Sequence, residues 1–133
     1  MALLAFHLDD RSGVPYYVQL IEQVRHAVRF GMLRSGDQLP TVKEVAAMVP
    51  VNPNTVLHAY RELEHDGLVR IQAGRGTFVA PGAAPVLARD VYDSLARRLE
   101  EWVGGARDAG LDEAAMASLF DEVVWQLSRR ESA

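Results

Sequence analysis

The stretch PVNPNTVLHAYRELEH, residues 50–65, decides the fold of the first half of this chain. Two prolines and two asparagines stand directly before an apolar repeat, a pattern typical of the start of a helix. Asn52 is a favoured N-cap residue, and Pro53 suits the first helical position, where its missing N–H is not needed. We therefore predict that a helix begins at Asn52.

This predicted helix has two chemically different faces. At about 100° per residue, its apolar side chains fall on one side and hydrogen-bonding side chains fall on the other. The apolar set is Val56, Ala59, Tyr60 and Leu63, and the polar set is Asn54, His58, Arg61 and His65. Asparagine and arginine are the side chains best shaped for bidentate contact with adenine and guanine edges. The polar face is therefore either a DNA-reading surface or an ordinary solvated face, and the flanking elements favour the first.

Two helices are predicted before this one. Pro15 suits the first turn of a helix, and apolar residues then recur at helical spacing as far as a stop at Gly31. Thr41 and Glu44 form a capping-box pattern that predicts a second helix. That helix is short, because Pro50 disfavours helical geometry in the residue before it.

After the central helix, LVRIQAGRGTFVA at residues 68–80 gives two β-rich runs around Gly-Arg-Gly. This pattern predicts a β-hairpin. Helix, short helix, turn, capped helix and hairpin follow one another as in a winged helix-turn-helix. We predict a mainly α fold with a small β-hairpin, in which residues 1–80 form the winged helix-turn-helix DNA-binding domain.

A linker, APGAAP at residues 80–85, separates this domain from two more predicted helices in residues 81–133. Gly104 and Gly105 are expected to weaken the first of these helices by about 1 kcal/mol each relative to alanine, and to end or bend it. Asp112 is expected to cap the second helix. Neither helix can bury its apolar stripe alone, so each must pack on the other, on the first domain or on a second copy. If the partner is a second copy, the expected dimer-interface residues are Leu95, Leu99, Trp102, Leu119, Phe120, Val123 and Leu127, and the same region can also be an effector region.

Composition and charge limit the classes of function. The chain has 133 residues, no cysteine and a net charge of −4, so disulfides and thiolate metal sites are excluded. Residues 1–80 hold eight Lys/Arg and eight Asp/Glu, whereas residues 81–133 hold six and ten. Because the excess acid lies in the C-terminal part, the neutral N-terminal part can still present a basic face to nucleic acid.

No pattern in the chain predicts catalysis, a metal or a membrane. AGRGT lacks the P-loop pattern and no helix follows it, and the adjacent Glu100 and Glu101 point apart on a helix. All four histidines precede the linker, so we expect no metal site in the C-terminal region and no cofactor. No apolar run approaches the roughly 18 residues that span a bilayer. The N-terminal MALLAFHLDD lacks the features of a signal peptide, so a cytoplasmic protein is expected.

Three motifs in order and spacing resemble the GntR family of bacterial transcription regulators, and its YtrA-like subfamily in particular. They are GDQLPT at 36–41, VNPNTV at 51–56 and GRGTFV at 74–79. The resemblance covers residues 6–80 closely, and the remainder in length and helical character. It implies an N-terminal winged helix followed by a short two-helix region used for dimerisation.

The resemblance also implies which residues contact DNA. Lys43 stands where the family has a basic residue, Thr41 caps the second helix near phosphate, and the wing tip reaches toward the minor groove. Together with the polar face of the central helix, the expected DNA-binding residues are Thr41, Lys43, Asn52, Asn54, Thr55, His58, Arg61, Gly74 and Arg75.

The chain departs from the family pattern at two positions. Pro50 stands where the family commonly has glycine, and proline cannot adopt positive φ, so the turn must be built differently or shifted. Leu57 stands where polar or basic residues are frequent. It either packs on the second helix or touches a thymine methyl group.

We predict a sequence-specific, homodimeric DNA-binding regulator, a repressor acting on an inverted-repeat operator, and not an enzyme. Its expected partners are double-stranded DNA, a second copy of the chain and an unidentified small-molecule effector, with no membrane. Trp102, Phe120 and Trp125 either line an effector pocket or anchor the dimer interface, which is the commoner role of such residues. The alternative is a protein-interaction module that uses a winged-helix scaffold without reading DNA, which the near-neutral N-terminal half leaves open.

Overall fold

The computed structural model describes residues 4–132. The first three residues of MALLAFHLDD, the segment predicted not to be a signal peptide, lie outside the described part. The elements follow the predicted order and confirm the mainly α fold with one hairpin. They are α1 (Tyr16–Arg29), α2 (Val42–Met48), α3 (Pro53–His65), β1 (Val69–Gln72), β2 (Gly76–Val79), α4 (Arg89–Asp108) and α5 (Glu113–Ser132).

Helix α1 begins and ends where the sequence predicts. The carbonyl of Pro15 accepts hydrogen bonds from the N–H groups of Val18 and Gln19, at 3.1 Å each. Gly31 follows the last turn with a φ of 77°, the left-handed conformation that commonly ends helices. The apolar face between these ends packs on α3 and includes the fully buried Leu20 and Val24.

Helix α2 begins with the predicted capping box. The Thr41 hydroxyl accepts from the Glu44 N–H, and the Glu44 carboxylate accepts from the Thr41 N–H, both at 3.0 Å. These hydrogen bonds lower the pKa of Glu44 below its ordinary value of 4.5. The carboxylate therefore stabilises the fold at neutral pH, and this contribution is lost as the pH falls through the lowered pKa.

The turn between α2 and α3 is built without any left-handed residue. Val49 is extended, with φ −136° and ψ 154°, as expected before a proline. The N–H of Val51 then donates to the carbonyl of Val49 at 2.8 Å, which closes a three-residue turn around Pro50. Because the central residue of such a turn takes a negative φ in its common form, proline fits where the family commonly has glycine.

A segment before α2 adds a third strand-like element to the hairpin. Strands β1 and β2 pair antiparallel, from Val69 opposite Val79 to Gln72 opposite Gly76. The backbone of residues 37–39 pairs with the other edge of β2, through Val79 N–H to Asp37 O and Leu39 N–H to Thr77 O, both 2.8 Å. The sequence did not predict this pairing, because the segment is short and has no alternating pattern.

The core of the winged-helix unit lies between α1, α2, α3 and the hairpin. The apolar face predicted for α3 is confirmed, since Val56, Ala59, Tyr60 and Leu63 are all buried. Tyr60, Leu20, Leu33, Leu39 and Leu63 are the largest of the fully buried side chains in the described residues.

The linker packs on the winged-helix unit. The N–H of Ala80 donates to Leu68 O at 2.9 Å, and that of Val86 donates to Arg29 O at 2.8 Å. Ala83 lies against the core. The two compact units accordingly separate between Arg89 and Asp90, whereas the functional division after residue 80 stays a prediction.

Helices α4 and α5 form the second unit. α4 continues through Gly104 and Gly105 to Asp108, so the expectation that the glycines end it is wrong. Two glycines cost helix stability but break no backbone hydrogen bond, and two good helix formers, Ala106 and Arg107, follow them. The predicted cap at Asp112 is confirmed, because its carboxylate accepts from the Ala115 N–H at 2.8 Å. Neither helix, nor any other in residues 4–132, is long and apolar enough to cross a membrane.

Candidate nucleic-acid interface

The polar face predicted for α3 is exposed to solvent. Asn54, His58, Arg61 and His65 all lie on the surface, opposite the buried face. Because every one of these side chains can hydrogen-bond and none is buried, the face has the chemistry that a major-groove contact requires. Leu57 and Thr55 are partly buried at its edge.

The two asparagines at the start of α3 have different roles. The Asn52 side-chain oxygen accepts from the Asn54 N–H at 2.8 Å, so it serves as the helix N-cap. The side chain of Asn54 is exposed and has no role in that cap. Of the two, Asn54 is therefore the one whose whole amide is available to a base, while Asn52 fixes the helix end.

The ring of His58 packs against α1. Its centroid lies 4.5 Å from that of Tyr17, in an edge-to-face arrangement with an interplanar angle of 64°. Tyr17 is partly buried and borders the exposed face of α3. Sequence periodicity placed Tyr17 only in the apolar stripe of α1, since nothing local to α1 signals its contact with a residue 41 positions later.

Three of the residues expected to contact DNA carry exposed basic side chains. Lys43 in the first turn of α2, Arg61 on α3 and Arg75 in the hairpin turn are exposed, and none of these three forms an ion pair with another residue in the described part of the chain. Two nearby acids are already engaged: the Glu64 carboxylate accepts from the Ile71 N–H at 2.6 Å, and Asp66 pairs with Arg25. The basic groups therefore remain available to phosphate.

The wing is a tight turn that presents Arg75. Gly74 and Gly76 have φ values of 74° and 132°, which other residues rarely adopt. The Arg75 N–H donates to Gln72 O at 2.9 Å and closes the turn. The glycines of the predicted Gly-Arg-Gly signature are thus required by the backbone, and the arginine between them is displayed at the tip.

A buried hydrogen bond joins α3 to the start of α2. The Tyr60 hydroxyl donates to Pro40 O at 2.6 Å. Burial, and then the nearby charge of Glu44, raise the pKa of Tyr60 above its ordinary value of 10.0. The neutral phenol is therefore the folded form, and it ties α3 to the segment that leads into Lys43.

Replacing Tyr60 by phenylalanine is expected to lower the free energy of unfolding by about 1–2 kcal/mol, because the buried Pro40 carbonyl loses its partner. Urea unfolding at pH 7 measures this loss. Since the raised pKa stabilises the wild type below pH 10.0 and this contribution fades as the pH rises above it, the difference should narrow in alkali. Tyr17→Phe is the matched control, and an equal loss there would show that the Tyr60 hydroxyl has no special role.

The apolar stripes of the second unit are uncovered within the chain. In the described part of α4 no residue is buried, and in that of α5 only Met116 is. The predicted interface residues are between 37% and 52% exposed. Trp125 lies about 140° around the helix from Phe120, and the Arg129 guanidinium stacks over its ring at 5.1 Å. Trp125 therefore does not share the stripe of Phe120, with which the sequence had grouped it.

Known proteins are similar to this chain in sequence and in fold. Residues 16–79 match the model of the family "Bacterial regulatory proteins, gntR family". Over 116 residues the chain is 35% identical to the HTH-type transcriptional repressor YtrA of Bacillus subtilis, an alignment that covers 87% of this chain and 89% of YtrA.

Two solved structures are similar in fold. YtrA from Sulfolobus acidocaldarius, described as a GntR-family transcription factor, has a TM-score of 0.55 and 28% identity, covering 74% of this chain and 99% of that chain. AraR(DBD) in complex with operator ORX1 has a TM-score of 0.51 and 27% identity, covering 60% of this chain and 99% of that chain.

Proposed function

Since this chain belongs to the gntR family of bacterial regulatory proteins, we propose that it is a sequence-specific, homodimeric repressor that binds an inverted-repeat operator. Family membership makes it a DNA-binding transcription regulator. The dimer, the operator symmetry and the repressing direction are our inference. The observation that carries the proposal is the exposed hydrogen-bonding face of α3, together with the exposed basic side chains of Lys43 and Arg75, which form no ion pair in the described residues.

In this proposal α3 lies in the major groove and reads bases through Asn54 and Arg61. An asparagine amide matches the adenine edge, and an arginine guanidinium matches the guanine edge. Lys43 and the N-terminus of α2 at Thr41 contact phosphate, and Arg75 enters the flanking minor groove. Phosphate contacts position the protein, whereas the base contacts specify the sequence. The operator bound by AraR(DBD), a structural neighbour, supports this class of ligand.

The exposed stripes of α4 and α5 support a homodimer. A soluble helix with an apolar stripe needs a partner to cover it, and most homo-oligomers are two-fold dimers. A two-fold dimer presents two copies of α3, so we expect half-sites one helical turn, about 34 Å, apart or a multiple of it. We infer repression from the similarity to the HTH-type transcriptional repressor YtrA of Bacillus subtilis, which aligns over most of both chains. The function requires no catalysis, and we infer that the protein works in the cytoplasm, where bacterial DNA lies.

Fluorescence anisotropy with a duplex from the promoter of the protein's own operon tests this function. Lys43→Ala and Arg75→Ala should each weaken binding to all sequences and reduce the slope of log affinity against log salt by about 1, because each removes one positive charge that displaces a counterion from the DNA. Arg107→Ala, at an exposed position of α4 outside the expected DNA-binding set, is the matched control. Binding that ignores salt, or that is no tighter than binding to a random duplex, would reject the proposal.

A further inference from the structure

We propose that Gln38 is a positioning residue for the wing: its side chain holds the turn that carries Arg75 in the orientation that reaches DNA. The proposal rests on the proposed function, in which Arg75 contacts DNA. Gln38 belongs to none of the expected DNA-contact sites, and neither helical periodicity nor a capping pattern draws attention to it.

The backbone of Gln38 is fixed beside the wing. It lies directly opposite Phe78 in an isolated antiparallel bridge. On either side of it, Asp37 O accepts from the Val79 N–H and the Leu39 N–H donates to Thr77 O, both at 2.8 Å. The side chain of Gln38 therefore starts from a rigid point at the edge of β2, three residues in sequence before the cap of α2.

The side-chain amide of Gln38 lies against the turn itself. Its nitrogen donates to the Arg75 carbonyl at 3.4 Å, which is long for an N–H···O bond. The support that Gln38 gives to the turn therefore rests on packing as well as on this hydrogen bond. A Cβ atom placed on Gly76 would lie only 2.5 Å from that nitrogen. The amide thus occupies the space that any side chain at Gly76 would need, in contact with the backbone next to Arg75.

The same segment connects the wing to the other DNA-facing parts. Leu39 and Pro40 are fully buried, and Pro40 O accepts the Tyr60 hydroxyl hydrogen bond from α3. Thr41 then caps α2, which carries Lys43 in its first turn. The chain from Gln38 to Lys43 is therefore a short, fixed link from the wing tip to the recognition helix and to the phosphate-contacting end of α2.

An unsupported turn must be ordered when DNA binds, and ordering one flexible arginine and its turn weakens binding by about 3- to 10-fold. Gln38→Ala is therefore expected to weaken operator binding by about 3- to 10-fold while the urea midpoint of unfolding stays unchanged, because Gln38 is exposed and its backbone pairing remains. The loss should be the same factor on the operator and on random duplex, because Arg75 is expected to support binding to all sequences.

A double-mutant cycle with Arg75→Ala separates positioning from direct contact. If Gln38 acts through Arg75, then Gln38→Ala adds nothing to the loss already caused by Arg75→Ala. The matched control is Gln72→Ala, which removes an exposed glutamine from the same hairpin and should show no such coupling to Arg75→Ala.

Two results would overturn the role of Gln38 and leave the proposed function standing: losses that simply add in the double variant, or no loss from Gln38→Ala while Arg75→Ala weakens binding. If Arg75→Ala itself has no effect on binding, the wing contact of the proposed function fails and the role of Gln38 fails with it. A shift of the unfolding midpoint in Gln38→Ala would assign the residue to fold stability instead.

Discussion

Replacing Val123 by glutamate is expected to convert the dimer into monomers and to weaken operator binding by about 100-fold or more. Val123 lies within the α5 stripe and is 44% exposed in the single chain. The charge can therefore stay in contact with water in the monomer, but in a dimer it enters an apolar interface without a partner. Separating two linked binding sites forfeits an affinity gain of about 10²–10⁴. Light scattering after size exclusion gives the mass, and anisotropy gives the affinity.

Ser118→Glu is the matched control for this substitution. It places the same charge on the same helix, about 140° around the axis from Val123. We expect it to remain a dimer and to bind the operator as the wild type does. A Val123→Glu protein that stays dimeric would contradict the assignment of the α4 and α5 stripes to dimerisation. A monomer that keeps full affinity would contradict the claim that operator binding needs the dimer.

Replacing Asn54 by alanine is expected to abolish the preference for one base pair in each half-site, a loss of about 5- to 150-fold in discrimination, because one bidentate contact is worth about 1–3 kcal/mol. Its side chain is exposed, and the helix start is capped by Asn52 at 2.8 Å. The substitution therefore leaves α3 in place. Anisotropy competition between the operator and its single-base variants measures the preference position by position.

Asn52→Ala gives the contrast that isolates base reading. It removes the N-cap and should lower the free energy of unfolding by about 1 kcal/mol. Its affinity for DNA should fall by the same factor for the operator and for each single-base variant of the operator. If Asn54→Ala also reduces affinity evenly and leaves every base preference intact, then Asn54 contacts phosphate, and base reading must come from another part of α3.

The helices were predictable from the sequence because their signals are local. The Thr41–Glu44 capping box and the Asn52–Pro53 helix start each involve residues within one turn, and both form as predicted. The exposed polar face of α3 follows from the same short-range periodicity. For these elements, a hydrogen-bonding pattern a few residues long determines the backbone.

The features that the sequence did not predict depend on residues far apart in the chain. The Gln38 amide meets the turn around Gly76, and the ring of Tyr17 meets His58. Such contacts arise only after the elements have packed, so no pattern within one element reveals them. Continuation of α4 through Gly105 was mispredicted for another reason: propensity gives a cost per residue, and surrounding residues can outweigh it.

The DNA-binding residues stay a prediction for the same physical reason. A solvated helix face and a DNA-reading face have the same periodicity, and both are exposed in the chain alone. What favours the second is that Lys43, Arg61 and Arg75 are exposed without an ion pair among the described residues, while Glu64 is held by the backbone of Ile71 and Asp66 by Arg25. These pairings form only in the folded chain, and they leave the three basic groups available to phosphate.

Hydroxyl-radical footprinting of the upstream region of the protein's own operon tests the central claim most directly. A two-fold dimer that reads bases with α3 should protect two symmetric patches, with centres about 34 Å or a multiple of it apart, over an inverted-repeat sequence. The protection should persist against excess random duplex. A single unpaired patch, or protection that random duplex removes as readily as operator duplex, would contradict the reading of this protein as a homodimeric, sequence-specific regulator.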